Sequence, residues 1–298
     1  MRQNKFVIFA VLSLMIFFNA YSQDSTKAPP TKVKKFTDNL FEITLVPVNT
    51  LASVGEDGVL IVDANYIEYS KYLKAEIKKL GKEKVDYIVN THWHFDHCGG
   101  NKYFGKEAKI IAHPDVKKFL SRDELLLGDT QKAYPEYALP QITFNTEYDM
   151  FFNGDSIKII SVPGGHTSGD AIVYFKNANV VHIGDIIFAD ELPFIDIDHG
   201  GNVFTLADNI QKIIDIMPED VKIIPGHGRE YSIIDLKDYR DMVLKTSDIV
   251  TKEILKGKSL DEIKKANVLK EWKDWGKSFS CEDWIEYIFY SFKKLEPK

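Results

Sequence analysis

The sequence predicts a mixed α+β fold with a helical C-terminal extension, on three observations. Apolar runs of strand length recur between Leu40 and Ile224. Segments with helical spacing separate some of them, and from Asp235 onward the chain reads as helices alone. Most tellingly, strand-like runs repeatedly end just before a histidine or aspartate, several with glycine alongside. Parallel-type sheets collect their functional groups at the C-terminal ends of strands, so this repetition points to one site built at one edge.

Length and charge bound the rest. The chain has 298 residues, 44% of them hydrophobic, enough for one large domain or two small ones. The net charge is -6, with acidic and basic residues intermixed rather than in blocks. That balance argues against a nucleic-acid groove or an anionic membrane surface and leaves a small molecule as the expected partner.

The N-terminus is read separately. Residues 1–5 are a short basic region, 6–18 an apolar run with one serine, and Ala20-Tyr21-Ser22 supplies small residues at both positions a signal peptidase needs. Residues 1–22 are therefore expected to be a signal peptide cleaved after Ser22, and the mature protein to be periplasmic or secreted. The apolar run falls short of the roughly 20 residues a spanning helix needs. No cysteine follows it to carry a lipid, so no stable membrane anchor is expected after cleavage. Cys98 and Cys281 are the two cysteines, and they are expected to stay separate, largely buried thiols.

A polar, proline-containing linker is expected over residues 23–35. Beyond it, 40–48 and 59–63 read as strands, 69–80 as a helix with Tyr69, Leu73, Ile77 and Leu80 on one face and Gly81 as its stop, and 85–89 as a buried strand. Residues 109–112 read as a strand and 114–120 as a short helix. The stretch 125–142 lacks clear periodicity and is expected to be a loop or a helical lid beside the site. Strands are expected at 157–162, 171–175, 180–183 and 221–224, with an amphipathic helix at 205–217. In the C-terminal extension a turn is expected near Lys256-Gly257-Lys258, followed by Ser259 as an N-cap. Its aromatic residues, among them Trp272, Trp275, Phe279, Trp284, Tyr287 and Phe289, are expected to bury these helices on the main domain, or else to help wall a pocket.

The chemistry is concentrated in Thr91 to Gly100, THWHFDHCGG, which spends three of the chain's 8 histidines within six positions. Imidazoles and a carboxylate crowded this closely make a poor core, because each needs a polar partner once buried. They make a good metal site. His92 and His94, two apart in an extended turn, can point the same way, while Asp96 and His97 continue toward a second position. With His166, Asp185 and His227, each just past a later strand, the set reaches seven nitrogen and oxygen donors. That is enough for two ions if one group bridges, and it suits zinc or, less specifically, iron or manganese. His113, His182 and His199 are set aside as surface or packed residues, and replacing His182 or His199 is expected to change metal content little.

H-x-H-x-D-H followed by G-H-T, G-D and G-H resembles the metallo-β-lactamase superfamily over roughly residues 36–232. The resemblance implies an αββα four-layer sandwich over residues 36–234, with the helical extension at 235–298. It implies two Zn2+ per chain, one on His92, His94 and His166, the other on Asp96, His97 and His227, with Asp185 as the bridge. Asp63 matches a position where the superfamily often keeps an acid that fixes a histidine tautomer. The implied reaction is hydrolysis of a carbonyl ester, lactone, thioester or amide by a metal-bridging hydroxide, with Asp96 orienting it and passing on its proton.

The alternatives are a genuine β-lactamase and, from another class, an iron-dependent oxidoreductase such as a persulfide dioxygenase. One main subclass of β-lactamases resembles this chain in the first motif, but carries cysteine where Asp185 stands and a carboxylate-gripping lysine where this chain has Phe188. The region around Gly200-Gly201-Asn202 and the tail resemble exported, mostly uncharacterised hydrolases of the superfamily. Trp93, Phe95, Phe188, Pro193 and Phe194 flank the ligands and favour a neutral or hydrophobic acyl substrate, or serve only in packing. Trp93, Phe188 and Phe194 are the candidate pocket residues.

Overall fold

The computed structural model describes residues 28–295. The expected signal peptide, and residues 23–27 of the expected linker, lie outside the described residues. Strands in chain order are β1 (Thr31–Lys35), β2 (Leu40–Leu45), β3 (Val48–Gly55), β4 (Gly58–Val62), β5 (Tyr87–Val89), β6 (Lys109–Ala112), β7 (Glu124–Leu126), β8 (Asp129–Gln131), β9 (Ile142–Thr143), β10 (Glu147–Phe152), β11 (Asp155–Ser161), β12 (Ala171–Phe175), β13 (Val180–His182) and β14 (Lys222–Ile224). The helices are α1 (Ser70–Lys79), α2 (Phe95–Cys98), α3 (Asn101–Phe104), α4 (Pro114–Leu120), α5 (Val203–Ile216), α6 (Ile233–Leu255), α7 (Leu260–Lys265) and α8 (Cys281–Leu295).

Two sheets carry the fold. The first runs β1-β2-β3-β4-β5-β6-β9 and the second β10-β11-β12-β13-β14, while β7 and β8 form a separate hairpin. Strands β1 to β4 are antiparallel neighbours, and β4, β5, β6 and β9 run parallel. In the second sheet β13 and β14 are parallel, and β11, antiparallel to β12, points the same way as β13. The ends of β11, β13 and β14 therefore open on one edge.

The layer order follows from side-chain alternation, since successive strand residues face opposite ways. Leu51, Leu60 and Val62 pack inward against Val173, Phe175 and Val180, filling the space between the sheets. Their neighbours Ala52, Val59 and Ile61 face out and are covered by Leu73 and Ile77 of α1. On the other side Ile172 and Val181 face Leu206 and Ile210 of α5, with α6 and α8 in the same cluster. The result is helix, sheet, sheet, helix: the αββα sandwich.

Several boundaries differ from the sequence reading, each for a physical reason. The expected single strand at 40–48 is a hairpin of β2 and β3 turning at Val46-Pro47, hidden because both arms are apolar. Residues 31–35 of the expected linker form β1, an exposed, lysine-rich edge strand that buries nothing and so has no apolar signature. Strand β10 is absent from the sequence reading: apart from buried Phe152 its residues alternate between exposed and half-buried, and the adjacent Phe151 and Phe152 blur the two-residue alternation. The 125–142 stretch is not a helical lid but the β7–β8 hairpin, a single 3-10 turn and β9.

The expected domain boundary at 234/235 falls inside α6, which starts with a capping box between Ser232 and Asp235. The extension is continuous with the outer layer of the second sheet, and Trp284 Nε1 donates to Thr246 Oγ1 of α6 at 2.8 Å. Ser259 caps α7 with Glu262, and Gly257 makes the preceding turn at φ +82. Among the described residues, no helix is long and apolar enough to cross a membrane.

Candidate metal centre

All seven expected ligands arrive at one edge. His92 and His94 follow β5, Asp96 and His97 lie in the single turn of α2, and His166, Asp185 and His227 follow β11, β13 and β14. The structure gathers them into two groups, His92 with His94 and His166, and Asp96 with His97, Asp185 and His227. Within each group one ligand atom per residue lies within 4.8 Å of the others. Asp185 also reaches across: its Oδ2 lies 3.8 Å from His92 Nε2, 3.7 Å from His166 Nε2 and 3.4 Å from His227 Nε2.

Each histidine is oriented by the nitrogen it turns away from the others. His94 Nε2 donates to Asp196 Oδ2 at 3.0 Å, His166 Nδ1 to the Phe194 carbonyl at 2.7 Å, His97 Nδ1 to Asp63 Oδ2 at 2.8 Å and His227 Nδ1 to the Pro47 carbonyl at 3.1 Å. The Thr91 hydroxyl donates to Asp63 at 2.8 Å, so its oxygen is left to accept from His92 Nδ1 at 3.0 Å. With these five nitrogens turned outward, the other five converge on one space: His94 Nδ1 lies 3.0 Å from His166 Nε2, and His97 Nε2 3.3 Å from His227 Nε2. Two ring nitrogens this close repel unless a proton or a metal ion lies between them.

Two inward atoms, His92 Nε2 and Asp185 Oδ1, are buried without a hydrogen bond, with Asp185 Oδ2 3.8 Å from the first and His97 Nε2 3.3 Å from the second. A buried polar atom left unpaired is costly, and here both point where an ion would satisfy them. The donors present therefore fit a metal.

Burial and charge act against each other across the cluster. Burial pushes the His92 imidazolium well below its usual range, with His97 adding to the effect. At His227 burial also disfavours charge, but Asp185 and Asp96 outweigh it and push the imidazolium up to about 10. Asp185 stays ionised despite burial because His97, His227 and His92 surround it. Gly226 makes room for this packing: a Cβ there would lie 2.0 Å from Asp185 Oδ1 and 2.7 Å from His97 Cε1.

The two groups differ in access. His92, His94 and His166 are almost fully buried, whereas the side chains of His227 and Asp96 keep 18% and 14% exposure. The cluster is therefore open to solvent on the side of Asp96 and His227. Phe188 stacks on His227 there, with centroids 5.2 Å apart and 16° between planes. Phe194 lies 5.7 Å from the rings of both His94 and His166, and Phe279 of the extension stacks on it at 5.3 Å. Pro193 is buried, and Phe95 packs against Tyr66.

Trp93 is corrected from a pocket residue to a core residue. It is 0% exposed and packs on Phe119 and His199. In the extended turn that aims His92 and His94 the same way, the residue between them must point the other way. Both thiols are unpaired: Cys98 is buried and donates to the His92 carbonyl at 3.0 Å, while Cys281 is only half-buried. Of the histidines set aside, His113 caps α4 and His182 Nε2 donates to the Asn49 carbonyl at 3.1 Å. His199 does more, because it meets Asp196, an acid that sequence reasoning missed.

Residues 43–228 match the model of the metallo-beta-lactamase superfamily. A probable metallo-hydrolase of Methanocaldococcus jannaschii is 29% identical over 189 residues, 60% of this chain and 87% of that one. A hydroxyacylglutathione hydrolase of Pelagibacter ubique is 30% identical over 158 residues, 52% of this chain and 57% of that one. Among solved structures, a metallo-beta-lactamase from Pontibacter korlensis superimposes with a TM-score of 0.60 at 19% identity, over 72% of this chain and 99% of that one.

Proposed function

Because the chain belongs to the metallo-beta-lactamase superfamily, we propose that it is a zinc-dependent hydrolase of a carbonyl ester, lactone, thioester or amide. The observation that carries this reading is the pair of ligand groups joined by Asp185, whose carboxylate lies within 3.8 Å of histidines on both sides. His92, His94 and His166 would hold one Zn2+, and Asp96, His97 and His227 the other. Such ions supply a Lewis acid for the scissile carbonyl and a water acidified toward a pKa of about 7.

The chain's own residues supply the rest. Asp96 is the more accessible of the two carboxylates in the cluster, and its Oδ2 lies 3.1 Å from His227 Nε2. From there it orients the attacking water, takes its proton and hands it to the leaving group. Asp63, Asp196, the Thr91 hydroxyl and the Phe194 and Pro47 carbonyls keep five imidazoles from turning. Phe188, half-buried beside His227, gives the open side an apolar flank and excludes water. An uncharged or hydrophobic acyl group fits that flank better than an anionic one.

The test is a hydrolysis panel of a lactone, an ester, a thioester, a cephalosporin and a phosphodiester, run on protein whose metal content has been measured. The thioester belongs in it because one relative carries the name hydroxyacylglutathione hydrolase. Zinc-dependent turnover of a carbonyl substrate, lost in Asp96→Ala, is expected. Turnover of the phosphodiester alone, or full activity in Asp96→Ala, would refute the reading.

A further inference from the structure

The loop from Phe194 to His199 supports only one of the two ligand groups. Its Phe194 carbonyl accepts from His166, and its Asp196 accepts from His94. Ligands of the other group turn to Asp63 and to the Pro47 carbonyl, on different segments. Whatever fixes this loop therefore fixes the His92–His94–His166 group selectively.

What fixes it is a chain of polar contacts running from Asp196 through His199 to Glu124, the last two of which the hydrolytic reading does not use. Asp196 caps the 3-10 turn Ile197–His199 by accepting from the His199 N–H at 3.3 Å. The His199 ring turns back onto it, with Nδ1 2.8 Å from Asp196 Oδ1. On its far side Nε2 lies 3.2 Å from Glu124 Oε2, at the start of the β7–β8 hairpin, and Glu124 in turn pairs with Arg122. Carboxylate oxygens face both ring nitrogens, so both must donate and the ring is an imidazolium. Burial opposes that charge, but Asp196 and Glu124 outweigh it. Trp93 and Phe119 enclose the ring at 4.6 and 5.1 Å. The hairpin's other strand is tied down as well, through Gln131 Nε2 to the Trp93 carbonyl at 3.4 Å.

We propose that His199, clamped between Asp196 and Glu124, is a positioning residue that holds Asp196 on His94 and so sets the metal affinity of the His92–His94–His166 group. This rests on the reading of that group as a metal site. With His199 gone, Asp196 would keep only His94 as a side-chain donor among the described residues and would be free to rotate. His94 would then lose the acceptor that keeps Nδ1 bare. The sequence reading gave His199 no such role.

Cobalt(II) titration followed by absorption tests this, because the all-histidine group and the carboxylate-containing group give different ligand-field spectra. His199→Leu is expected to lose tenfold or more in cobalt affinity at the all-histidine group and to leave the other unchanged. His199→Asn, whose amide can replace Nδ1 as donor to Asp196, is expected to recover most of the loss. Glu124→Gln, at the surface end of the chain, is expected to show a smaller loss at the same group, and it serves if His199→Leu does not fold. Equal weakening at both groups, or unchanged affinity in His199→Leu and Glu124→Gln, would overturn the proposal. Failure of the unaltered protein to bind cobalt at all would instead bring down the metal-site reading beneath it.

Discussion

Asp63 Oδ2 lies 2.8 Å from His97 Nδ1 and also accepts the Thr91 hydroxyl at 2.8 Å, so one buried acid just past β4 governs a ligand in each group. Its other oxygen accepts the Thr91 N–H at 2.8 Å, which fixes the carboxylate on the strand end that launches His92. Because Thr91 spends its hydrogen on Asp63, its oxygen must accept from His92 Nδ1.

Asp63→Asn should reverse both tautomers. With the amide oxygen on the Thr91 N–H, the NH2 donates to His97 Nδ1 and to the Thr91 hydroxyl, which then donates to His92. Both histidines would turn N–H groups toward the ions. The expected result is a loss of about 10- to 100-fold in zinc affinity at both groups, read by competition with a chelating dye. An unchanged affinity would show that Asp63 is only a strand clamp. Loss at both groups also separates this variant from His199→Leu, where one group is expected to weaken.

Asp185 is the carboxylate that approaches histidines on both sides, so Asp185→Ala removes the charge able to neutralise two cations at once. The Asp96–His97–His227 ion should then bind much more weakly, while the three-histidine ion is retained. Elemental analysis of the purified variant is expected to approach one zinc per chain. Two tightly held ions would refute the bridging role.

Trp93 illustrates what could and could not be read from the sequence. The spacing His92-x-His94 revealed two ligands because alternation in an extended turn is a local rule. The same rule placed Trp93 on the opposite side, in the core. Trp93→Ala should therefore act on stability, costing about 3–5 kcal/mol in denaturant unfolding. Trp93→Phe should leave the ranking of substrates unchanged. A changed ranking with unchanged stability would return Trp93 to the pocket.

The seven candidate ligands were legible because four crowd into one stretch after β5 and the other three come just past later strands, where apolar periodicity stops and glycine begins. Asp196 was not: it comes from an irregular loop 102 residues from its partner His94, and no local pattern marks an acid that only tertiary folding brings to a ligand. The extension's burial on the main domain was read from its aromatic residues, but which layer it joins was not. Helical periodicity foretold α6 and α8, but their joining the outer layer of the second sheet, and Phe279 reaching Phe194, are outcomes of packing.

Export is the reading of residues 1–22, with their basic, apolar and small-residue order. The mature chain recovered from the native host should begin near Gln23. N-terminal sequencing that still finds Met1 would overturn it.

Phe188 sets the expectation for β-lactams. It follows Asp185 by three positions and stacks on His227 at 5.2 Å, bordering the more exposed ligand group with a ring rather than a cation. A β-lactam carries a carboxylate that this ring cannot bind, and a charge-assisted hydrogen bond is worth about 1.5–3 kcal/mol. Turnover of a cephalosporin should therefore trail that of the preferred ester or lactone by one to two decades in kcat/KM. Phe188→Lys should recover about one decade for the cephalosporin, mainly through KM, because the added contact forms with the bound ground state as well as the transition state. The same change should slow a neutral ester, which loses its apolar flank. Steady-state kinetics on both substrates checks the pair of effects. If the unaltered protein already hydrolyses the cephalosporin best, another basic residue reaches the anion, and the role given to Phe188 is wrong.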